Sequence, residues 1–397
     1  MLTDNFLSNF WQGFAVEDFY IDRDKLRVKL IPHKTACCGR CGLMGNSIHD
    51  ISERKVRDLS CFEYKTYLII QVRRVNCLVC GVRTEHIPWL APYSRVTKRL
   101  KNYTEALCRI LPISHVSNLL GLHWTTVKDI DKGRLIREVT EPDYSRIRQL
   151  VMDEFALHKG HRYATVIADA NTQQVLWIGE GRSRKNIRPF FEELGEYCQN
   201  IEAVAMDMNT SFDLEVKEHC PHAEVVYDLF HVIAKYGREV IDRVRVDRAN
   251  ELKEDKKARK VVKQGRWLLL KNKSNLRGSQ EIKLQELLQA NKPLAVVYMM
   301  KQALKDIWFC PTVKEAFNNW RYWFKQVKES GIKPLENFAR KLRPYVRGIL
   351  ASSKFPLNTS VLEGMNNKIK VIKRMAYGYR DSTYFFLKIR DAFPGKP

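Results

Sequence analysis

The sequence predicts a multidomain α/β protein in which a small cysteine-rich segment and a helical segment precede a mixed sheet. Two C-x-x-C pairs, Cys38–Cys41 and Cys77–Cys80, enclose a stretch of two-residue alternation. Residues 96–147 place Lys, Leu, Ala and Arg at helical spacing. From residue 148, three strand patterns (LVMDEFAL, YATVIADA, QVLWIGEG) are followed by alternating helix and strand, which points to a sheet of mixed direction. A chain of 397 residues has room for two or three domains. The segments read as 1–95, an N-terminal part with the cysteine cluster; 96–147, helical; 148–239, the first part of the α/β core; 240–345, helices without a strand pattern; and 346–397, the final helices of the core.

Composition narrows the function classes. There are 68 Lys+Arg against 45 Asp+Glu, a formal charge of +23, which favours a polyanionic partner, most simply nucleic acid. With 45% hydrophobic and 28% charged residues, wholesale disorder and coiled-coil or collagen-like structure are excluded. No apolar run reaches the roughly 18 residues that span a bilayer. The start, MLTDNFLSNFWQGF, opens on an acid rather than on basic residues. A soluble intracellular protein with no secretory signal and no membrane partner is expected. Six of the ten cysteines fall between Cys37 and Cys80, while Cys108, Cys198, Cys220 and Cys310 read as small buried hydrophobes. A disulfide framework does not fit such a chain.

Taken in order, KLRVKLIP (25–32) reads as a strand. Each C-x-x-C pair can place two thiolates on one ion, and two pairs complete a tetrahedral zinc site. Gly42 and Gly81 follow the pairs and permit the positive φ that such knuckles need. Four thiolates leave no open position, so the zinc is structural. Cys37 also lies within ligand spacing of Cys41, so the first ligand is Cys37 or Cys38. Redox pairs are the competing reading; two matched pairs around a hairpin favour a metal. Next, ISHVSNLLGLHWTTVKDIDKGR (113–134) predicts a helix-turn-helix with Gly121 in the turn. Val116, Leu119 and Leu120 would pack on Leu122, Val127 and Ile130, which leaves Thr125, Thr126 and Lys128 exposed at the start of a recognition helix. An ordinary helical hairpin would give the same pattern; the cysteine cluster and the charge favour DNA.

The core carries three acids of interest. Asp153 interrupts an apolar strand, on one face with Val151 and Phe155, where an acid is costly unless it is paired or holds a cation. Asp207 ends the strand AVAMD. Glu363 lies in the final helices, where Glu363, Asn367, Lys370 and Arg374 share one face and Val361, Met365, Ile369 and Ile372 the other. A three-strand meander continued by β-α-β can make the first and fourth strands neighbours, bringing Asp153 beside Asp207. Three converging carboxylates suit Mg²⁺, which takes hard oxygen ligands and keeps positions for phosphate and water. Acids at strand ends and on helices are also commonplace. Asp228 and His231, in VYDLFHV, sit at a strand end and helix start, where Asp228 could cap the helix or share in chemistry. The run 256–280 holds nine Lys/Arg and no acid, a solvated basic face or a DNA contact. Trp267 and Leu268–Leu270 beside it read as packing for these helices.

The chain resembles bacterial insertion-sequence transposases of the ISL-three family along nearly its whole length. The resemblance rests on CCGRCG…CLVCG, DEFALHKGHRYATVIAD, VLWIGEGRSR, VAMDMN, YDLFHV and, most specifically, EGMNNKIKVIKRMAYGYRD. It implies an RNase H-like core of the DDE type with an N-terminal zinc ribbon, a helix-turn-helix and a helical insertion over 240–345. It implies that Asp153, Asp207 and Glu363 are the catalytic, Mg²⁺ (or Mn²⁺)-binding set, with Asp228 and His231 auxiliary. Cys38, Cys41, Cys77 and Cys80 would bind structural Zn²⁺. Thr125, Thr126, Lys128, Lys368, Lys370, Lys373 and Arg374 would contact DNA. The implied activity is metal-dependent strand cleavage and transfer on double-stranded DNA, both element ends and target. A homodimer or higher oligomer on DNA and a cytoplasmic, nucleoid-associated location go with it. Two rivals stand beside this reading. A non-catalytic DNA-binding regulator would leave the C-terminal 250 or so residues and Asp153 without a task. A tyrosine- or serine-type recombinase could use Tyr377 or Tyr379 near Arg374 and Arg380.

Overall fold

The computed structural model describes residues 9–44, 47–158, 160, 162–272, 275–357 and 360–396, the side chains of 360–362 excepted. Asn358 and Thr359, expected to open the Glu363 helix, lie outside the described residues, as do Lys273 of the basic run and the side chain of Val361. The chain forms two compact units: Met1–Val139 with Lys373–Leu387, and Thr140–Ile372 with Lys388–Pro397.

The first unit is built on a sheet of β1 (Phe14–Asp22), β2 (Lys25–Pro32), β3 (Ser47–Arg57), β4 (Lys65–Cys77) and β5 (Gly81–Thr84), in the order β1-β2-β4-β3 with β5 also on β4. The alternation in β4 buries Thr66, Leu68, Ile70 and Val72 on one face, against Val28 and Leu30 of β2. Helices Lys98–Cys108, Ile113–Leu120 and Trp124–Glu138 follow. Gly121 ends the second at φ +61°, the left-handed turn that a Cβ would resist. Val116 and Val127 are buried together beside Cys108, and Ile130 packs with Val96 and Leu100. Leu119, expected in this core, is 64% exposed. Val116 and Leu120, one turn apart, take the inward face and leave it outside. The sheet meets the helices at Asp58, which is fully buried and accepts from Trp11 Nε1 (2.9 Å), Thr97 Oγ1 (2.6 Å) and Arg99 Nε (2.7 Å). Burial alone would raise its pKa; these donors reverse the sign and hold it below the usual carboxylate range.

Residues 373–387 pack in this first unit, although they close the chain's final helical segment in sequence order. Tyr384 donates to Asp131 Oδ2 at 2.5 Å, and Asp131 pairs with Arg134 at 3.0 Å, both side chains inaccessible to solvent.

The second unit holds β6 (Gln149–His158), β7 (Arg162–Asp169), β8 (Val175–Glu180), β9 (Ala203–Met206) and β10 (Glu224–Tyr227), in the order β10-β9-β6-β7-β8. β6, β7 and β8 form an antiparallel meander; β9 runs parallel to β6, and β10 parallel to β9. This is the RNase H-like arrangement. Helices Arg184–Leu194, Thr210–His219 and Leu229–Tyr236 follow β8, β9 and β10. The described residues of 240–345 contain helices and no strand, from Asp242–Glu251 to Lys333–Leu342. They share one hydrophobic core with the sheet. Trp308 Nε1 donates to the Tyr227 carbonyl at the end of β10 (3.0 Å), and Trp323 Nε1 to the Met300 carbonyl (2.9 Å). Trp267 differs from expectation: it is 66% exposed, under the Arg266 guanidinium, while Leu269 is fully buried. Two residues apart on a helix face opposite ways, so Leu269 takes the core position and Trp267 the solvent one.

Asp131→Ala would remove one carboxylate from the buried Arg134 guanidinium, which also pairs with Glu138 at 2.8 Å. A loss of about 3 kcal/mol is expected in urea unfolding of the first unit, because one partner of a buried pair is removed.

Candidate active site and metal centre

The zinc site is assembled by two loops of the first unit. The first pair follows β2, and the second lies in the turn from β4 to β5. Cys38, Cys41, Cys77 and Cys80 bring their sulfurs within 4.8 Å of one another, close enough for all four to reach one ion. Cys41 Sγ and Cys77 Sγ are 3.4 Å apart. Gly42 and Gly81 stand at φ +77° and +72°. The backbone amides of Cys41 and Arg40 push the Cys38 thiol down to about 6, towards the thiolate a metal takes. Cys37 is excluded from the set: its Sγ lies 3.2 Å from the Gly42 carbonyl. Adjacent residues of an extended segment point opposite ways, and Cys38 is the one that faces inward.

At the recognition helix, Trp124–Glu138, Thr125 is exposed with its Oγ1 2.8 Å from His123 Nδ1, and Thr126 is half-exposed. Lys128 departs from the expected free contact. Its Nζ pairs with Asp381 at 2.8 Å, and Lys132 joins at 3.0 Å. The Lys128 bond first, then the Tyr384 amide and Lys132, hold the Asp381 carboxyl far below its ordinary range despite some burial. Tyr379, the other candidate nucleophile segment's inner residue, is stacked on Phe385 at 4.5 Å, and burial pushes its hydroxyl up to about 12. Tyr377 is 87% exposed.

The carboxylates of the second unit are placed by strand register. Met152 on β6 pairs with Met206 on β9, and Met206 with Tyr227 on β10. The residue after each is an aspartate, so Asp153, in the middle of β6, stands level with Asp207 and Asp228, which lie just past the carboxyl ends of β9 and β10. Such ends are where open α/β sheets place their ligands. Each carboxylate is held by backbone and side chain together. Asp153 Oδ1 accepts from the Glu154 amide at 2.7 Å, and Asp207 Oδ1 from the Met208 amide at 2.7 Å. His231 Nδ1 lies 2.9 Å from Asp207 Oδ2, and its Nε2 3.6 Å from Asp228 Oδ2. Asp228 also caps its helix, accepting from the Phe230 amide at 2.7 Å. The hydrogen bond to Asp207, and then the three acids' charge, outweigh burial and raise His231 to about 9. For Asp207, burial acts upward, but the His231 bond and charge win and hold it below the usual range. Among the described residues, Asp153 has no such direct cationic partner. Burial, with the charges of Asp207 and Asp228, pushes it up to about 6 against the Glu154 amide and the more distant His231.

Glu363 is exposed, in the first turn of the helix Ser360–Met375. Met365 and Ile369 are buried, as the apolar face requires. The residue that reaches the aspartates is one that sequence reasoning missed. Asn366, 8% exposed, donates from Nδ2 to Asp153 Oδ2 at 2.5 Å. Asn367, placed on the Glu363 face, is exposed. The signal was a polar side chain beside Met365 on the buried stripe. Lys368 departs from its expected DNA contact: Nζ donates to the Ala392 carbonyl at 2.6 Å and lies over the Phe393 ring. That ammonium closes the end of the helix Ser382–Ala392, where a cation is favoured. Lys373 also has an intramolecular partner, whereas Lys370 and Arg374 are exposed. In the basic run, Lys256, Lys257, Lys260 and Lys263 are exposed around buried Val262.

Purified protein should carry one zinc per chain, released by thiol-reactive mercurial and read with a chromogenic chelator. Cys38→Ser should lose it and Cys37→Ser keep it. In metal-free protein kept in EDTA, the His231 ring should titrate near 9 by NMR. A raised folded pKa stabilises fully below the unfolded value of about 6.5 and loses that contribution as pH rises through the folded one. His231→Gln should therefore cost about 1 kcal/mol near pH 6, a figure discounted for the ring's exposure, and nothing near pH 10.

Comparison with known proteins agrees with these parts. The family described as "Transposase", of the ISL3 type, matches residues 150–389. The "helix-turn-helix domain of transposase family ISL3" matches 85–134, and the "zinc-finger of transposase IS204/IS1001/IS1096/IS1165" matches 34–80. The transposase for insertion sequence element IS1001 of Bordetella parapertussis is 51% identical over 391 residues, 97% of this chain and 96% of that protein. The transposase for IS1557 of Mycobacterium tuberculosis is 25% identical over 375 residues, covering 86% of this chain and 82% of its own. Among solved structures, the Drosophila P element transposase strand transfer complex has 10% identity and a TM-score of 0.36, over 74% of this chain and 91% of that one. The chain belongs to the ISL3 family of transposases.

Proposed function

We propose that this transposase cuts and joins DNA strands at Asp153, Asp207 and Glu363, a carboxylate set of the DDE type that takes Mg²⁺ (or Mn²⁺). One observation carries the reading. Strand register makes Asp153 and Asp207 neighbours, and the helix that bears Glu363 is hydrogen-bonded to Asp153 through Asn366, one turn further on. The donor chemistry fits a hard divalent ion: the ligands are carboxylate oxygens, and the raised Asp153 marks a place with more buried negative charge than it holds comfortably without a cation. When bound, two such ions supply activation of the attacking water or 3′-hydroxyl and stabilisation of the leaving 3′-oxygen. Asp153 and Asp207 bind, each with one oxygen fixed by the following amide. His231 orients Asp207 and offsets its charge, with Asp228 behind it. No step needs a covalent bond between the chain and DNA.

In this reading the substrate is double-stranded DNA, the element's ends and its target. Thr125 and Thr126 read base edges in the major groove, and Lys370, Arg374 and the face Lys256, Lys257, Lys260 and Lys263 hold phosphates. Lys128 joins them only by giving up Asp381, and Lys368 only by giving up Ala392. The active form is a homodimer or higher oligomer on DNA, in the bacterial cytoplasm at the nucleoid. No helix among the described residues is long and apolar enough to cross a membrane.

The test is cleavage of DNA carrying the element's own ends, with and without Mg²⁺. Asp153→Asn, Asp207→Asn and Glu363→Gln should each abolish cutting and leave end binding intact, since each removes a charge and a hard ligand but keeps size. An amide variant that cuts at the normal rate, or a protein–DNA covalent adduct, would overturn the reading.

A further inference from the structure

The two aspartates are held in the same way, and the likeness defines a role for a residue outside the acidic set. Asp207 has Oδ1 on the next backbone amide and Oδ2 on His231. Asp153 has Oδ1 on the next backbone amide and Oδ2 on Asn366 Nδ2. Asn366 therefore stands to Asp153 as His231 stands to Asp207. Its burial is not that of a packing residue. It lies between Met365 and Asn367 on a stripe that Met365 and Ile369 fill with apolar atoms. Its Oδ1 is also buried, with no hydrogen-bond partner among the described residues. A buried amide that spends one group and leaves the other unpaired is a poor choice for packing alone, where an apolar side chain of equal size costs less. The orientation follows from charge. An ionised carboxylate can only accept, so the amide nitrogen must face Asp153 whenever Asp153 serves as a ligand.

We infer that Asn366 is a positioning residue of the cutting site: its Nδ2 fixes the Asp153 carboxylate for the ion, and its Oδ1 is the acceptor kept for a water on that ion. This rests on the carboxylate reading above. It also gives the Glu363 helix a polar attachment to β6, three residues beyond Glu363. Groups that orient a ligand in this way are worth about 10- to 100-fold in metal affinity when removed.

The test is Mn²⁺ binding to the full-length protein, followed by calorimetry without DNA, with end binding and zinc content as checks of the fold. Asn366→Leu keeps the branching and the number of heavy atoms and removes the hydrogen bond. It should weaken Mn²⁺ binding about 10- to 100-fold and raise the Mg²⁺ needed for half-maximal cleavage in step. The contact from Asn366 Nδ2 to Asp153 is what matters, so Asn366→Ser, too short to span the gap, should behave alike; it decides the matter if the Leu variant loses end binding. Wild-type Mn²⁺ affinity in the folded variant overturns the inference. Asp153→Asn separates the two failures. If it still binds Mn²⁺ as wild type does, the carboxylate reading itself falls. If it loses binding while Asn366→Leu keeps it, only the role of Asn366 falls.

Discussion

The parallel pairing of β6 with β9, and of β9 with β10, is the constraint on which the rest of the second unit depends. It sets three aspartates side by side, where their mutual repulsion must be met by something positive or by protonation. The chain meets it unevenly. His231 serves Asp207 and Asp228, and Asp153 is left raised to about 6 beside a neutral amide. The uneven treatment is itself informative. A structural ion-pair network would pair every acid, as Asp58 is paired with Arg99 in the first unit. On the proposed reading, the acid left without a counter-charge among the described residues is the one that a cation would serve.

Among the described residues, Asn366 on its buried side ties the helix Ser360–Met375 into this arrangement. Its apolar contacts, Met365 and Ile369, give it affinity for the core but little positional specificity, since hydrophobic contact is non-directional. A hydrogen bond to a fixed carboxylate is directional and sets the turn on which Glu363 stands. The insertion contributes in a similar way: Trp308 donates to the Tyr227 carbonyl, one residue before Asp228, so the helices of 240–345 buttress the strand end rather than hang from it.

In the first unit, buried polar groups play the organising part. Asp58 gathers donors from the N-terminal segment and from the first helix, and Asp131 binds Arg134 and Tyr384. The second of these, with the pairing of Asp381 to Lys128 and Lys132, attaches residues from the end of the chain to the recognition helix. Lys128, which the sequence offers to DNA, is thereby partly occupied. The helix-turn-helix presents Thr125 and Thr126 at its leading edge instead.

Much of this was legible without coordinates. The zinc ligands follow from two C-x-x-C pairs with glycines behind them, because thiolate geometry demands a knuckle and a knuckle demands positive φ. That the first and fourth core strands can be neighbours follows from a meander continued by β-α-β; the full order β10-β9-β6-β7-β8 is seen only in the structure. Asp153 stands out as a charge in an apolar strand, for the cost of burying it, and Asp207 as the acid that ends AVAMD. What tertiary structure alone decided was which side chains spend their polar groups within the chain. Cys37 and Cys38 both lie within ligand spacing of Cys41, and only the course of the knuckle turns one inward. Lys128 and Lys368 look like free cations until residues remote in sequence, Asp381 and Ala392, arrive beside them. Asn366 looks like its neighbour Asn367 until the helix is docked and one of the two is pressed onto Asp153. Local pattern sets periodicity and composition, whereas partners far apart in the chain are chosen by packing, and the choice of partner is what gives each of these residues its role.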